Sequence, residues 1–262
     1  MQFEIITIFP KIFDSYFNES ILARARKEKL IKINTHNLRD YTSDKHKTVD
    51  DTPYGGGAGM VLKVEPIYKA LVKIIGESKL KCFRKGIKSG LYPFSSQSSI
   101  ERLRRGDKNQ ELKIKNNSKN KTKIILLSAK GKKFDQAMAK RLSKLDKLVL
   151  ICGRYEGVDE RVAKNLADEE ISAGDYILTG GEIPAMIIVD AVSRLIKGVV
   201  GNEESIKEES FSKKDYLEYP HYTRPENFSP NKKTNWKVPA VLLSGNHKNI
   251  QNWKEKYSKN NF

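Results

Sequence analysis

The stretch 149–188, VLICGRYEGVDERVAKNLADEEISAGDYILTGGEIPAMII, limits the possible folds most. It opens on Val149, Leu150, Ile151 and Cys152, an unbroken apolar run of the kind a strand buried on both faces needs. Gly153 ends that strand, and Arg154, Tyr155, Glu156 and Gly157 make a compact loop. A second short strand is predicted over 175–179, running into Gly180 and Gly181. Glu182 then starts an apolar helix over 182–197, with Pro184 in the first turn, where a missing N–H costs little. In open α/β proteins ligands collect at the carboxyl ends of strands, so two strand ends meeting glycine loops about thirty residues apart make a candidate site. Plain punctuation of a sheet would look the same, and spacing alone leaves both readings open.

The rest of the chain repeats the strand–loop–helix logic of a parallel α/β sheet. Residues 3–9 read as a strand that Pro10 ends. An amphipathic helix follows over 11–29, with Ile12, Phe13, Tyr16, Phe17, Ile21 and Leu22 on its apolar side. A strand over 30–35, a polar loop over 37–60, a helix over 64–75, a strand over 123–127 ending at Ser128, a helix over 134–142 and a strand over 147–152 complete the series. The loop carries VDDTPYGGGAGM, which is no dinucleotide fingerprint: counted from Gly55, the sixth position is Met60, and the glycines do not follow a strand. No Walker A pattern occurs, which speaks against a nucleotide-hydrolysing enzyme. The glycines Gly55, Gly56 and Gly57 after Tyr54 suit either close approach to a bulky partner or a tight surface turn. Residues 198–214 are polar and charged, a linker; 215–262 read as a small, mostly helical second domain with a terminal helix from about Asn246.

Composition narrows the function. The 262 residues carry 49 Lys and Arg against 32 Asp and Glu, a net charge of +17, which points to a polyanionic partner. Fourteen of those cations, against three acids, fall within 79–123. This segment reads as a solvated surface insertion or as an added RNA-binding arm, and its weak periodicity favours the first. Two cysteines, Cys82 and Cys152, make no disulfide framework and suit a reducing cytosol. The four histidines show no metal spacing, no apolar run approaches the length of a membrane span, and MQFEIITIF reads as a first strand rather than a signal peptide.

Seven motifs in order then carry a resemblance: VDDTPYGGGAGMV, LLSAKGKKFDQ, CGRYEGVDERV, GDYILTGGEIPAM, DAVSRLIKG, PHYTRPE and VLLSGNH. Together they resemble the bacterial tRNA (guanine-N1)-methyltransferase family, of the SPOUT class, over nearly the whole chain except about 79–122. The resemblance implies an α/β fold, a SPOUT-type parallel sheet with a deep trefoil knot, over 1–197. It implies a linker over 198–214 and a C-terminal helical tRNA-binding domain over 215–262. It further implies a homodimer with active sites at the subunit interface, working in the cytoplasm. The methyl donor is S-adenosylmethionine, and the resemblance assigns its pocket to Leu127, Ser128, Gly153, Tyr155, Glu156, Ala173, Tyr176, Leu178, Gly180, Gly181 and Pro184. Magnesium accompanies transfer in the family; the sequence offers no recognisable site for it.

The substrate the resemblance implies is the guanine at tRNA position 37, in the anticodon stem-loop. Its N1 is protonated at neutral pH, so a base must take that proton as the methyl arrives, and the charge that develops on O6 calls for a cation. By resemblance the cation is Arg194. The base lies in the linker, where the family's Asp-Ser-Phe is Glu209, Ser210 and Phe211 here, with Glu208 and Asp215 as neighbouring carboxylates. Tyr54, Gly55, Gly56 and Gly57, with His221, Tyr222, Thr223 and Arg224, are implied RNA contacts. Thr52, Ala58 and Ala129 stand where the family often has arginine, proline and proline. The alternative is a non-catalytic RNA-binding or ribosome-associated protein of the same fold, against which the intact glycine loops weigh.

Because surface insertions add little loop-closure cost, replacing residues 81–120 with a short Gly/Ser linker is expected to leave kcat within about tenfold. It should flatten the salt dependence of tRNA binding. Collapse of single-turnover transfer in a folded variant would make the segment part of the machinery.

Overall fold

The computed structural model describes residues 1–77, 80, 121–202, 209–213, 216–231 and 233–258. The basic segment 81–120, and Glu208 and Asp215, lie outside them. The chain divides into two compact units, Met1–Val199 and Val200–Phe262.

The first unit is built on a five-stranded parallel sheet of order β2-β1-β6-β5-β7. Its strands are β1 (Gln2–Thr7), β2 (Lys32–Asn37), β5 (Thr122–Lys133), β6 (Lys147–Cys152) and β7 (Glu169–Ser172), with a short hairpin of β3 (Asp50–Asp51) and β4 (Val61–Leu62) beside it. Alternation along β6 shows why its sequence is continuously apolar. Leu148, Leu150 and Cys152 enter one core with Phe3, Ile5 and Leu127, while Val149 and Ile151 enter the other with Ile6, Ile124 and Leu126. Helices α1 (Asp14–Phe17), α2 (Ser20–Lys27), α4 (Gln136–Leu142) and α6 (Glu182–Ser193) cover the first face. Helices α3 (Val64–Ile75) and α5 (Glu160–Asn165) cover the second. Helices on both faces of a parallel sheet put α/β architecture beyond the level of pattern.

Two expectations need correction. The helix predicted over 11–29 is a 3₁₀ turn (Pro10–Phe13) followed by α1 and α2, broken at Asn18 and Glu19, with Ser20 left-handed at φ 51°. The break lets Phe13, Phe17, Leu22 and Ala25 all reach one core, and leaves Ile12, Tyr16 and Ile21 exposed. The strand predicted over 175–179 is a loop; the strand there is β7, which ends at Ser172. Past it the chain turns, Ser172 Oγ donating to Gly174 O at 2.9 Å and accepting from Gly174 N at 3.2 Å. Ile177 has no sheet face to cover and stands 85% exposed.

The second unit was expected to be mostly helical. It does hold α7 (Ala240–Leu243) and α8 (His247–Tyr257), the latter capped by Asn246, whose side chain accepts from Asn249 N at 3.1 Å. It also holds an antiparallel hairpin of β8 (Asn227–Asn231) and β9 (Thr234–Lys237), which an asparagine-rich sequence with little alternation did not announce. Among its described residues no apolar side chain is buried.

At the start of β7, Glu169 accepts a two-point contact from Arg141 at 2.7 and 2.6 Å and another bond from Lys123 at 2.5 Å. The Arg141 guanidinium first, and Lys123 with it, holds the carboxyl down at about 2 against partial burial, from an ordinary 4.5. A depressed carboxylate stabilises above its unfolded value and loses that contribution as pH falls through the folded one. Glu169→Gln is therefore expected to cost about 1–3 kcal/mol at pH 7, discounted for the partial exposure of the pair. Urea denaturation at stepped pH should show the gap to wild type close between pH 4.5 and about 2. A gap that persists at the acid end would remove the ion pair as its cause.

Candidate active site

Three loops, one within β5 and two at the carboxyl ends of β6 and β7, line a cavity of about 340 Å³. The first is an excursion within β5, since Leu127 and Lys132 both pair with Ile171 and residues 128–131 bulge out between them. The second is 153–158 and the third 173–181. All eleven residues assigned to a cofactor pocket by resemblance line this one space: Leu127, Ser128, Gly153, Tyr155, Glu156, Ala173, Tyr176, Leu178, Gly180, Gly181 and Pro184. The volume is that of a small-molecule site, and its lining comes mostly from the loops.

Gly180 and Gly181 let two stretches of chain come close together. A Cβ on Gly181 would sit 2.7 Å from the Cys152 Cα, and one on Gly180 would collide with the Arg154 side chain. What they permit is the crossing of two stretches of chain: Gly181 N donates to Gly153 O at 2.9 Å, and Arg154 and Gly180 form an antiparallel bridge. Beside it Tyr155, a non-glycine residue, takes φ 59°, and Gly157 takes φ 127°. Such a cramped turn is held by its surroundings. Those surroundings include the glycine loop between β3 and β4, where Glu156 N donates to Met60 O at 3.1 Å and Leu62 N to Gly157 O at 3.0 Å. Tyr54, Gly55, Gly56 and Gly57 rise from that base, all exposed, with each glycine at positive φ.

Sequence reasoning missed the polar clamp beneath the cavity. Glu182 is 1% exposed; its carboxylate accepts from Arg154 Nε at 2.9 Å and from Thr7 Oγ1 at 2.8 Å. Arg154 also lies over the Phe9 ring at 4.8 Å. The available signal was a glutamate heading an otherwise apolar helix. Burial, then the nearby Glu182 charge, pushes the Cys152 thiol well above its ordinary range, so it is an inert core residue rather than a nucleophile.

Arg194 does not line this cavity, and the other residues assigned to catalysis and RNA belong to the glycine loop and to the second unit. Arg194 caps the far end of α6, whose 12 residues put it roughly 18 Å along the axis from Gly181. Glu209 belongs to the second unit, in a turn where Ser212 N donates to Glu209 O at 3.0 Å and Phe211 takes φ 63°. His221, Tyr222, Thr223 and Arg224 are exposed in that unit. There His221 meets Glu218 at 2.9 Å, and Tyr222 packs edge-on to Trp253 at 6.2 Å. Among the described residues no three His, Cys, Asp or Glu side chains are grouped as metal ligands. Among the same residues no helix is long and apolar enough to cross a membrane.

Gly181 tests the crossing. Its φ of −82° is open to any residue, so only space forbids a side chain. Gly181→Ala is expected to lose about 1–3 kcal/mol by overpacking and to weaken small-molecule binding, whereas Gly55→Ala, with no atom within 4 Å, should leave that binding unchanged. Thermal denaturation and calorimetric titration check both. An alanine at 181 that keeps wild-type stability would mean the two stretches can part freely.

The chain is similar to known proteins along nearly its whole length. The family model described as tRNA (Guanine-1)-methyltransferase TrmD matches residues 1–87 and 108–262. A tRNA (guanine-N(1)-)-methyltransferase of Carboxydothermus hydrogenoformans is 46% identical, covering 98% of this chain and 83% of its own. Proteins of the same name from Clostridioides difficile and Dictyoglomus turgidum are 43% and 46% identical, each over 98% of this chain and over 92% and 84% of their own.

Proposed function

Because the chain belongs to the tRNA (guanine-1)-methyltransferase family, we propose that it methylates N1 of guanine 37 in tRNA with S-adenosylmethionine as donor, as a cytoplasmic homodimer. The observation that carries this is the cavity: eleven residues drawn from three separate loop regions line one space beside β5, β6 and β7.

The residues present fit the donor. The cavity is of small-molecule size, and loop N–H and C=O groups can read a purine edge while Leu127, Leu178 and Pro184 supply apolar walls. S-adenosylmethionine, when bound, supplies an electrophilic methyl group. The backbone crossing at Gly181 suits a knotted topology, in which one stretch of chain must pass close over another.

The chain's own side chains then have two tasks. Glu209 takes the proton from guanine N1, and Arg194 offsets the charge gathering on O6. Arg194 stands a full helix length, roughly 18 Å, from Gly181, so the reading requires a second copy to bring its α6 end to that cavity. Exposed apolar residues that support contact with a copy are Phe9, Ile12, Tyr16, Ile183 and Ile187, and Tyr16 donates to Asp190 on α6 at 2.7 Å. The Tyr54–Gly57 loop and His221 to Arg224 are proposed to hold the RNA.

Glu209→Gln keeps the shape and removes the proton acceptor. It is expected to lower single-turnover methyl transfer to a guanine-37 tRNA transcript by about a hundredfold or more, with donor affinity little changed. Raising the pH should recover part of the loss, because more guanine deprotonates unaided. A transcript altered at position 37 serves as control. Wild-type single-turnover rates in Glu209→Gln would take Glu209 out of the mechanism.

A further inference from the structure

The hairpin of β8 and β9 carries more apolar surface than it can cover. Phe228 and Trp236 are directly paired across the strands, their ring centroids 5.7 Å apart at an interplanar angle of 42°. Phe228 is 50% and Trp236 62% exposed. Every residue of β8 is exposed, and so are three of the four in β9, so neither face of the ribbon rests on a core. An isolated two-stranded ribbon is marginal in water. This one is closed by Val238 N donating to Glu226 O at 2.9 Å and, at its tip, by Lys233 N donating to Asn231 Oδ1 at 2.9 Å. The aromatic pair is otherwise surrounded along the strands by Asn, Ser, Pro, Thr and Lys.

Charge selects the occupant. From Asn227 to Phe262 the sequence has seven lysines and one acid, Glu255. A two-fold contact of this region with its own copy would set like charges against each other, because an isologous interface places the same patch on both sides. A polyanion with planar groups suits both features: lysines meet phosphates, and an exposed indole face meets a base. The tilt of the two rings keeps the indole face from being covered by the phenyl ring.

We propose that the β8–β9 hairpin is a base-stacking clip, on which an unpaired nucleotide of the RNA substrate stacks against Trp236 with Phe228 as backing. The inference rests on the reading of the chain as a tRNA methyltransferase, and it adds a contact outside the cavity and outside the 221–224 motif.

Tryptophan fluorescence tests it in the full chain, which has two tryptophans, Trp236 and Trp253. In Trp253→Phe the remaining indole is Trp236, and titration with a guanine-37 tRNA transcript is expected to quench it with the same midpoint as binding followed by RNA anisotropy. Trp236→Ala should weaken tRNA binding by about five- to a hundredfold, the range for loss of one stacked base. Trp236→Phe should recover most of it by keeping a π face, and donor affinity should stay at wild type in both. Emission that stays constant while tRNA saturates the protein would overturn the clip, as would wild-type affinity in Trp236→Ala. Emission that follows protein concentration without RNA would place a second copy on the hairpin and also overturn it. These results differ from failure of the functional reading itself, in which wild-type protein neither binds nor methylates the transcript.

Discussion

The candidate site depends on one backbone crossing, that of Gly181 over Cys152. With hydrogen in place of a side chain, the Gly181 amide reaches the Gly153 carbonyl at 2.9 Å, and the next residue, Glu182, is thereby delivered into the protein interior. A buried carboxylate is costly unless it is paired and hydrogen-bonded. Here Arg154 and Thr7 supply the partners. The clamp joins the end of β1, the loop after β6 and the start of α6, so three elements distant in sequence are fixed under one cavity. Breaking such a pair leaves an uncompensated charge, which makes the arrangement specific whatever its net stabilisation.

Much of this was legible before the structure, for identifiable reasons. The run Val149–Cys152 is apolar without alternation because both of its faces are buried, and α3 was bounded correctly at 64–75 because its apolar stripe and flanking Gly76 are unambiguous. The cavity residues were legible through resemblance and not through periodicity, since loops carry no period. What escaped were features set by distance. Thr7 and Glu182 lie 175 residues apart, and nothing local marks them as partners. The break at Asn18 and Glu19 answers to the demand that four apolar residues reach one core, which a helical wheel cannot register. Residues 175–179 look like a strand because Tyr, Ile and Leu are good strand formers, but the hydroxyl of Ser172 turns the chain first. The hairpin in the second unit was hidden by its asparagines.

The two units hold themselves together by different means. Met1–Val199 has two apolar cores on either side of a sheet. The described part of Val200–Phe262 has none, and relies on aromatic contacts at its surface. Trp253 touches Tyr219, Tyr222 and Tyr257, and Lys254 lies 4.6 Å from the Tyr219 ring centroid. Aromatic pairs add about 0.5–1.5 kcal/mol beyond their area, and the unit's lysine excess makes nucleic acid the chemically suited partner.

On the proposed reading the two catalytic side chains come from different units of the chain. There the sheet unit positions the donor, while Arg194 comes from a helix end and Glu209 from a turn in the second unit. Assembly of the site is then coupled to RNA binding, and binding energy gathered at remote contacts can be used to bring the carboxylate to the guanine. Glutamate in place of the family's aspartate fits that logic. It has nearly the same intrinsic basicity, and its additional methylene adds reach at the expense of some side-chain entropy when the site closes. The longer arm asks less of the turn at 209–213 in placing the base, and more of the RNA contacts in holding the guanine still.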